Sequence, residues 1–123
     1  FASVLAYRGV ATSATAVLVD KAKNYVRANY SSPDLSIRQV ADAVGLSPNY
    51  FSNVFKQYAG TTFVKYLTGY RIEKARELLR TTDCSVVEIA GRVGYDNANY
   101  FSAVFHRITG LPPVAYKEGN GPL

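Results

Sequence analysis

One seven-residue phrase occurs twice in this chain. Asn49-Tyr50-Phe51-Ser52-Asn53-Val54-Phe55 returns fifty residues later as Asn99-Tyr100-Phe101-Ser102-Ala103-Val104-Phe105, with six of the seven positions identical. A repeat at fixed period means one supersecondary unit built twice, which restricts the fold more tightly than any composition figure. The likeness runs upstream, where Ser36-Ile37-x-x-Val40-Ala41-x-x-Val44-Gly45-Leu46 matches Ser85-Val86-x-x-Ile89-Ala90-x-x-Val93-Gly94-Tyr95 at an offset of 49. It runs downstream too, where Gly60, Val64 and Tyr66 match Gly110, Val114 and Tyr116 at an offset of 50. The extra residue of the second copy falls between Gly94 and Asn99, where a turn is expected, because turns accept insertions that helix interiors do not.

Each copy reads as two helices. Ser36 stands as N-cap before Ile37, Val40, Ala41 and Val44, which have helical spacing. Gly45 suits a left-handed stop and Leu46 a buried plug. Ser47-Pro48 restarts a helix with a cap and a first-turn proline. Its apolar stripe is Phe51, Val54, Phe55 and Tyr58, and Gly60 ends it. The second copy has Ser85 as cap, a stripe of Val86, Ile89, Ala90 and Val93, the stop Gly94, then Phe101, Val104, Phe105 and Ile108 before Gly110. Helix, short glycine turn and helix form a helix-turn-helix unit. A plain helical hairpin within a bundle would show one such copy; two copies with the same internal glycine argue against it.

Around the repeats, residues 1–16 read as a linker or the remnant of an upstream element, with a helix there as an open alternative, and 17–29 as a helix with Val19, Ala22 and Val26 inward. Arg8 sits inside the apolar stretch over 1–19. That excludes a membrane span, since a central Arg costs on the order of 2.5–3.5 kcal/mol, and a signal peptide. Thr61 or Thr62 caps a long helix from 62 to about 79 or 80 whose apolar positions are Phe63, Val64, Leu67, Ile72, Ala75, Leu78 and Leu79. Eighteen residues span roughly 27 Å, so this helix is expected to hold the two copies about one 34 Å turn of B-DNA apart. Pro112-Pro113 opens a short last helix ending near Lys117, and 118–123 is a tail. The expected fold class is all-α, with two helix-turn-helix subdomains joined by a long central helix and about seven helices in all.

The chain has 123 residues, 48% of them hydrophobic, which describes a globular piece, and a net charge of +5, which favours an acidic partner such as nucleic acid or an anionic membrane surface. All nine Asp and Glu residues lie outside two runs, 43–72 and 97–117, that hold the second helix of each copy. A phosphate backbone imposes such a gap, because a carboxylate there would be repelled. A single cysteine, Cys84, allows no internal disulfide and suits a reducing cytoplasm. Beside Asp83 it reads as core filling rather than as a nucleophile. With one Cys and one His, a metal site is not expected; nor is a cofactor or a reaction. No methionine occurs, and an upstream element is expected to precede position 1.

If Phe51, Val54 and Phe55 face the core, the other face carries Asn49, Ser52, Asn53 and Lys56; in the second copy it carries Ala98, Asn99, Ser102, Ala103 and His106. Asparagine can give and take hydrogen bonds with an adenine edge, serine can read either base type or a phosphate, and alanine can touch a thymine methyl. The same residues could instead be solvated side chains near a helix N-terminus, where Asn also caps. Candidate phosphate contacts are Ser36, Thr61 and Thr62 near helix N-termini, with Lys56, Lys65, His106 and Arg107. Arg71 is either a paired structural arginine or a further phosphate contact.

The pattern Ile89-Ala90-x-x-Val93-Gly94-Tyr95-x-x-x-x-Tyr100-Phe101-x-x-x-Phe105-x-x-x-x-Gly110-x-x-Pro113-x-x-Tyr116 resembles the AraC/XylS-type DNA-binding domain of bacterial transcription regulators. The likeness covers about 17–117, and the wording Tyr50-Phe51-Ser52-x-x-Phe55-Lys56 is similar to the output domains of response regulators. The resemblance implies subdomains at 17–60 and 81–117 joined by 61–80, with two recognition helices entering successive major-groove segments. It places Asn49, Ser52, Asn53, Asn99 and Ala103 where the family reads bases. Lys117 stands for the usual Arg and His106 for the usual Lys. Ala98 and Ala103 leave the second copy poor in donors, which points to backbone contacts there. Expected partners are double-stranded DNA, an upstream sensor or receiver domain, RNA polymerase and a second copy of the chain, in the cytoplasm and without a membrane. A helical protein-interaction module using the same faces is the alternative.

Overall fold

The structure, a computed structural model, describes residues 2–119, with side chains from residue 14 onward; position 1 and the expected tail from residue 120 lie outside the described residues. The described residues form seven helices and no strand: α1 (Ala2–Asn29), α2 (Ile37–Ala43), α3 (Pro48–Ala59), α4 (Phe63–Thr81), α5 (Val86–Arg92), α6 (Ala98–Thr109) and α7 (Pro113–Lys117). The chain divides into two compact units. The first takes residues up to Asn29 and Leu35–Tyr66; the second takes Tyr30–Asp34 and residues from Leu67 on. Helix α4 therefore gives its first turn to the first unit and the rest to the second.

In the first unit α1 packs on α2 and α3, and α2 packs on α3. Val19, Ala22 and Val26 are all buried, as their spacing predicts. The helix predicted over 17–29 is the later part of α1, which begins at Ala2. Five alanines among residues 2–16 favour helix, a signal that a search for an apolar stripe passes over. Ser36 and Ser47 cap α2 and α3 by accepting from the amides of Gln39 and Tyr50, both at 3.3 Å. Gly45 and Gly60 take φ of 77° and 79°, as the stops require. Phe51, Val54 and Phe55 are buried, and the Phe55 ring meets Phe63 and Tyr66 edge-on, each at 5.5 Å. Leu46 is only half-buried.

The second unit repeats this plan. Ser85 caps α5 in a capping box with Glu88, whose pKa is lowered by the amide of Ser85 that it accepts from. Helices α5 and α6 pack together and α7 packs on α6. Phe101, Val104 and Phe105 join Ile72, Ala75, Leu79, Ile89, Ala90, Val93 and Tyr116 in one core. The Phe105 ring meets Tyr116 edge-on at 5.4 Å, the counterpart of Phe55 against Tyr66. From Phe51 and from Phe101 onward, ten positions run through the same order of buried, half-buried and exposed states. Tyr58 and Ile108, which the spacing places inward, are 38% and 47% exposed. Both lie in the last turn before a glycine stop, past the buried positions; periodicity fixes a direction but not how far the neighbouring elements reach. Val64 is likewise exposed in the first turn of α4, as is Val114 in α7.

Arg71 resolves as structural. It is 8% exposed, donates from Nε to the Tyr30 carbonyl at 2.9 Å and from Nη2 to the Ser32 carbonyl at 2.8 Å, and lies over the Tyr95 ring. Burial lowers its pKa, and Tyr95 partly offsets that. Replacing Arg71 by Lys removes the planar fork that serves two carbonyls at once. Arg71→Lys is expected to destabilise the second unit by about 1.5–3 kcal/mol, read as a lower urea midpoint. An unchanged midpoint would return Arg71 to the surface.

The two turn glycines differ in surroundings. A Cβ on Gly45 would meet nothing within 4 Å, whereas one on Gly94 would lie 2.3 Å from the Tyr30 carbonyl oxygen and 2.7 Å from Arg71 Nε. Gly45→Ala carries only the left-handed strain, about 1–2 kcal/mol. Gly94→Ala carries that strain plus displacement of the buried Arg71 arrangement, and is expected to cost at least twice as much in the same denaturation assay. Equal losses would contradict the crowding at Gly94.

Candidate nucleic-acid interface

The burial of the Phe-Val-Phe stripe fixes the rotation of α3 about its own axis, and so decides what it shows to solvent. Asn49, Tyr50, Asn53, Lys56 and Gln57 are exposed and Ser52 is half-buried. On α6, Asn99, Tyr100, Ala103, His106 and Arg107 are exposed and Ser102 is half-buried. Ala98 is likewise half-buried, packed against the core of its unit. In each unit the exposed candidates sit at i, i+3 or i+4 and i+7, one face of a helix.

Capping settles what the asparagines are not. The side-chain caps of α3 and α6 are Ser47 and Asn97; Asn97 Oδ1 accepts from the Tyr100 amide at 2.9 Å. Asn49, Asn53 and Asn99 are therefore not caps, and among the described residues their amides enter no side-chain hydrogen bond. Each keeps a donor and an acceptor for a ligand. The cap Asn97 stands at the place of Ser47 at the offset of 50, and the sequence reading passed over it because the extra residue was placed no more closely than between Gly94 and Asn99.

The candidate phosphate contacts divide into two groups. Ser36 and Thr62 already accept from helix amides, Thr62 Oγ1 from Lys65 N at 3.2 Å, and each retains its hydroxyl proton. Thr61 is half-buried, and Lys56, Lys65, His106 and Arg107 are exposed. The salt bridges among the described residues are Lys74–Glu77 at 3.5 Å and Arg76–Glu73 at 2.6 Å, both on α4. Among the described residues no carboxylate pairs with the cations of α3 and α6, which leaves them to attract an anionic polymer. Lys117 instead donates to the Cys84 carbonyl at 2.7 Å, tying α7 to the turn before α5.

Several exposed residues escaped the sequence reading. Tyr50 and Tyr100, 57% and 59% exposed, take the same place in the two helices, and Arg38 and Arg92 are exposed on α2 and α5. The tyrosines could have been found from their position one residue before each buried Phe, about 100° round the helix. No helix among the described residues is long and apolar enough to cross a membrane.

A family profile described as a helix-turn-helix domain matches residues 40–119. Regulatory protein PocR of Salmonella typhimurium is 40% identical over 98 residues, covering 80% of this chain and 32% of PocR. The chain spans about a third of the length of the curated relatives it matches. The C-terminal domain of AraT, a response regulator from Geobacillus stearothermophilus, shares the fold with a TM-score of 0.81 at 39% identity, over 86% of this chain and 88% of that one. The DNA-binding domain of the global transcriptional factor AdpA, solved in complex with a target DNA, has a TM-score of 0.78 at 25% identity, over 82% and 90% of the two chains. With its two capped helix pairs, its matched residues and these relatives, the chain belongs to the AraC-type helix-turn-helix family.

Proposed function

We propose that this chain is the sequence-specific DNA-binding output domain of a bacterial transcription regulator, with residues 17–117 as the working module. One observation carries the reading: two equivalent helices each turn a carboxylate-free face with unengaged asparagine side chains to solvent. Helices α3 and α6 each enter a major-groove segment of double-stranded DNA. Asn49, Ser52, Asn53, Ala98, Asn99, Ser102 and Ala103 face base edges. Ser36, Lys56, Thr61, Thr62, Lys65, His106 and Arg107 hold phosphates. The chain carries out no reaction of its own. It answers to an upstream sensor or receiver domain, acts on RNA polymerase and pairs with a second copy. The AdpA domain in complex with its target DNA and the response-regulator domain of AraT support this reading.

Two substitutions separate the roles. Asn53→Ala is expected to weaken binding to a selected site by about 1–3 kcal/mol and to leave random DNA unaffected. Lys56→Ala is expected to weaken all sequences and to lower the salt slope by about 1. Fluorescence anisotropy across a salt series measures both. Salt-independent binding, or equal effects of the two changes on selected and random duplexes, would favour a protein-interaction module instead.

A further inference from the structure

We infer that α3 and α6 read two variants of one A·T-rich word, sharing an adenine opposite Asn49 and Asn99 and differing opposite positions 53 and 103. At that second step the α3 segment has adenine and the α6 segment has thymine. The inference rests on the DNA-binding reading above and adds to it the base identities.

The first support is register. Both helices have 12 residues, a capping side chain directly before the first of them, and a left-handed glycine directly after the last. Their ring pairs match, Phe51–Phe55 at 5.7 Å and Phe101–Phe105 at 5.8 Å. Position 49 in one unit therefore stands where 99 stands in the other, and 53 where 103 stands. Two helices docked alike aim these positions at the same step of their groove segments.

The second support is chemistry. Asn49, Asn53 and Asn99 are exposed, and no cap or other side-chain hydrogen bond among the described residues occupies them. The major-groove edge that takes an asparagine by two hydrogen bonds is adenine N6 and N7. Ala103 is exposed and offers only a methyl group, which suits the thymine C5 methyl. The third support is what these faces lack. Guanine is read by Arg or Lys on O6 and N7, yet residues 49–53 and 99–103 hold neither, and the first lysine of α3 is Lys56. The N-terminal turns, which reach the base edges in a helix-turn-helix, hold asparagine and alanine suited to A·T pairs and no Arg or Lys for a bidentate guanine contact, while Ser52 and Ser102 read either base type.

The test is selection of bound duplexes from a randomised library, using the whole chain and its Ala103→Asn variant. The wild-type matrix should show two segments with a common adenine, and thymine at the second step of one of them. Ala103→Asn should convert that thymine to adenine and change nothing else, with a preference of roughly 5- to 150-fold for the new base. Deoxyuridine in place of that thymine should weaken wild-type binding about fourfold, the worth of one buried methyl, and this arm needs no variant to fold. A specific matrix with G·C pairs at these steps, an unmoved preference in the variant, or indifference to deoxyuridine would overturn the base assignment while DNA binding stood. No enrichment over random DNA would overturn both.

Discussion

The edge-to-face contact of a phenylalanine with a tyrosine eleven residues further along holds each half of this molecule together. Phe55 meets Tyr66 at 5.5 Å and Phe105 meets Tyr116 at 5.4 Å, with both phenylalanines at 0% exposure. Truncating a ring buried to this degree typically costs about 3–5 kcal/mol. More important than its strength is its direction. With the ring seated, its helix cannot roll, and with the helix fixed, the positions opposite the ring must face solvent. The outward row of α3 and of α6 is thus set by an apolar contact that never touches a ligand.

Upon that common frame the two units diverge. Phe63 fills out the aromatic cluster of the first unit, while buried Pro113 takes the corresponding place in the second. The second unit also gathers cations around Tyr116: Arg76 and Arg80 donate to its hydroxyl at 2.8 and 2.6 Å and lie against its ring. Cation–π contact and hydrogen bonding then reinforce one another at a half-shielded site. On the outward side Lys56 is answered by His106, and Asn53 by Ala103. The core preserves shape; the surface trades chemistry.

Most of the frame was legible in the letters because caps and stops are local. Ser36, Ser47 and Ser85 declare helix starts within three residues of the amides they serve, and the glycines declare their ends by needing positive φ. What depends on distant backbone left no trace. Arg71 stayed open because its partners are the carbonyls of Tyr30 and Ser32, and a carbonyl looks the same in every residue. The early start of α1 stayed open, with linker and helix both in view, because alanine-rich helix needs no stripe. Tyr58, Ile108 and Val64 were placed inside because spacing reports an azimuth and not a depth. Of the reading faces, membership was visible once the buried stripe was assigned. That Asn97 caps α6 was passed over, and only that fact leaves Asn99 to the solvent row.

The division between Asn97 and Asn99 has a wider consequence. On α3 and α6 the capping residues, the stops and the buried rings occupy one set of positions and the exposed outward residues another, with no side chain of these two helices serving in both sets. Letters in the outward row can therefore drift, or be exchanged by an engineer, without a folding penalty to restrain them. A chain arranged in this way is free to change its address while keeping its architecture.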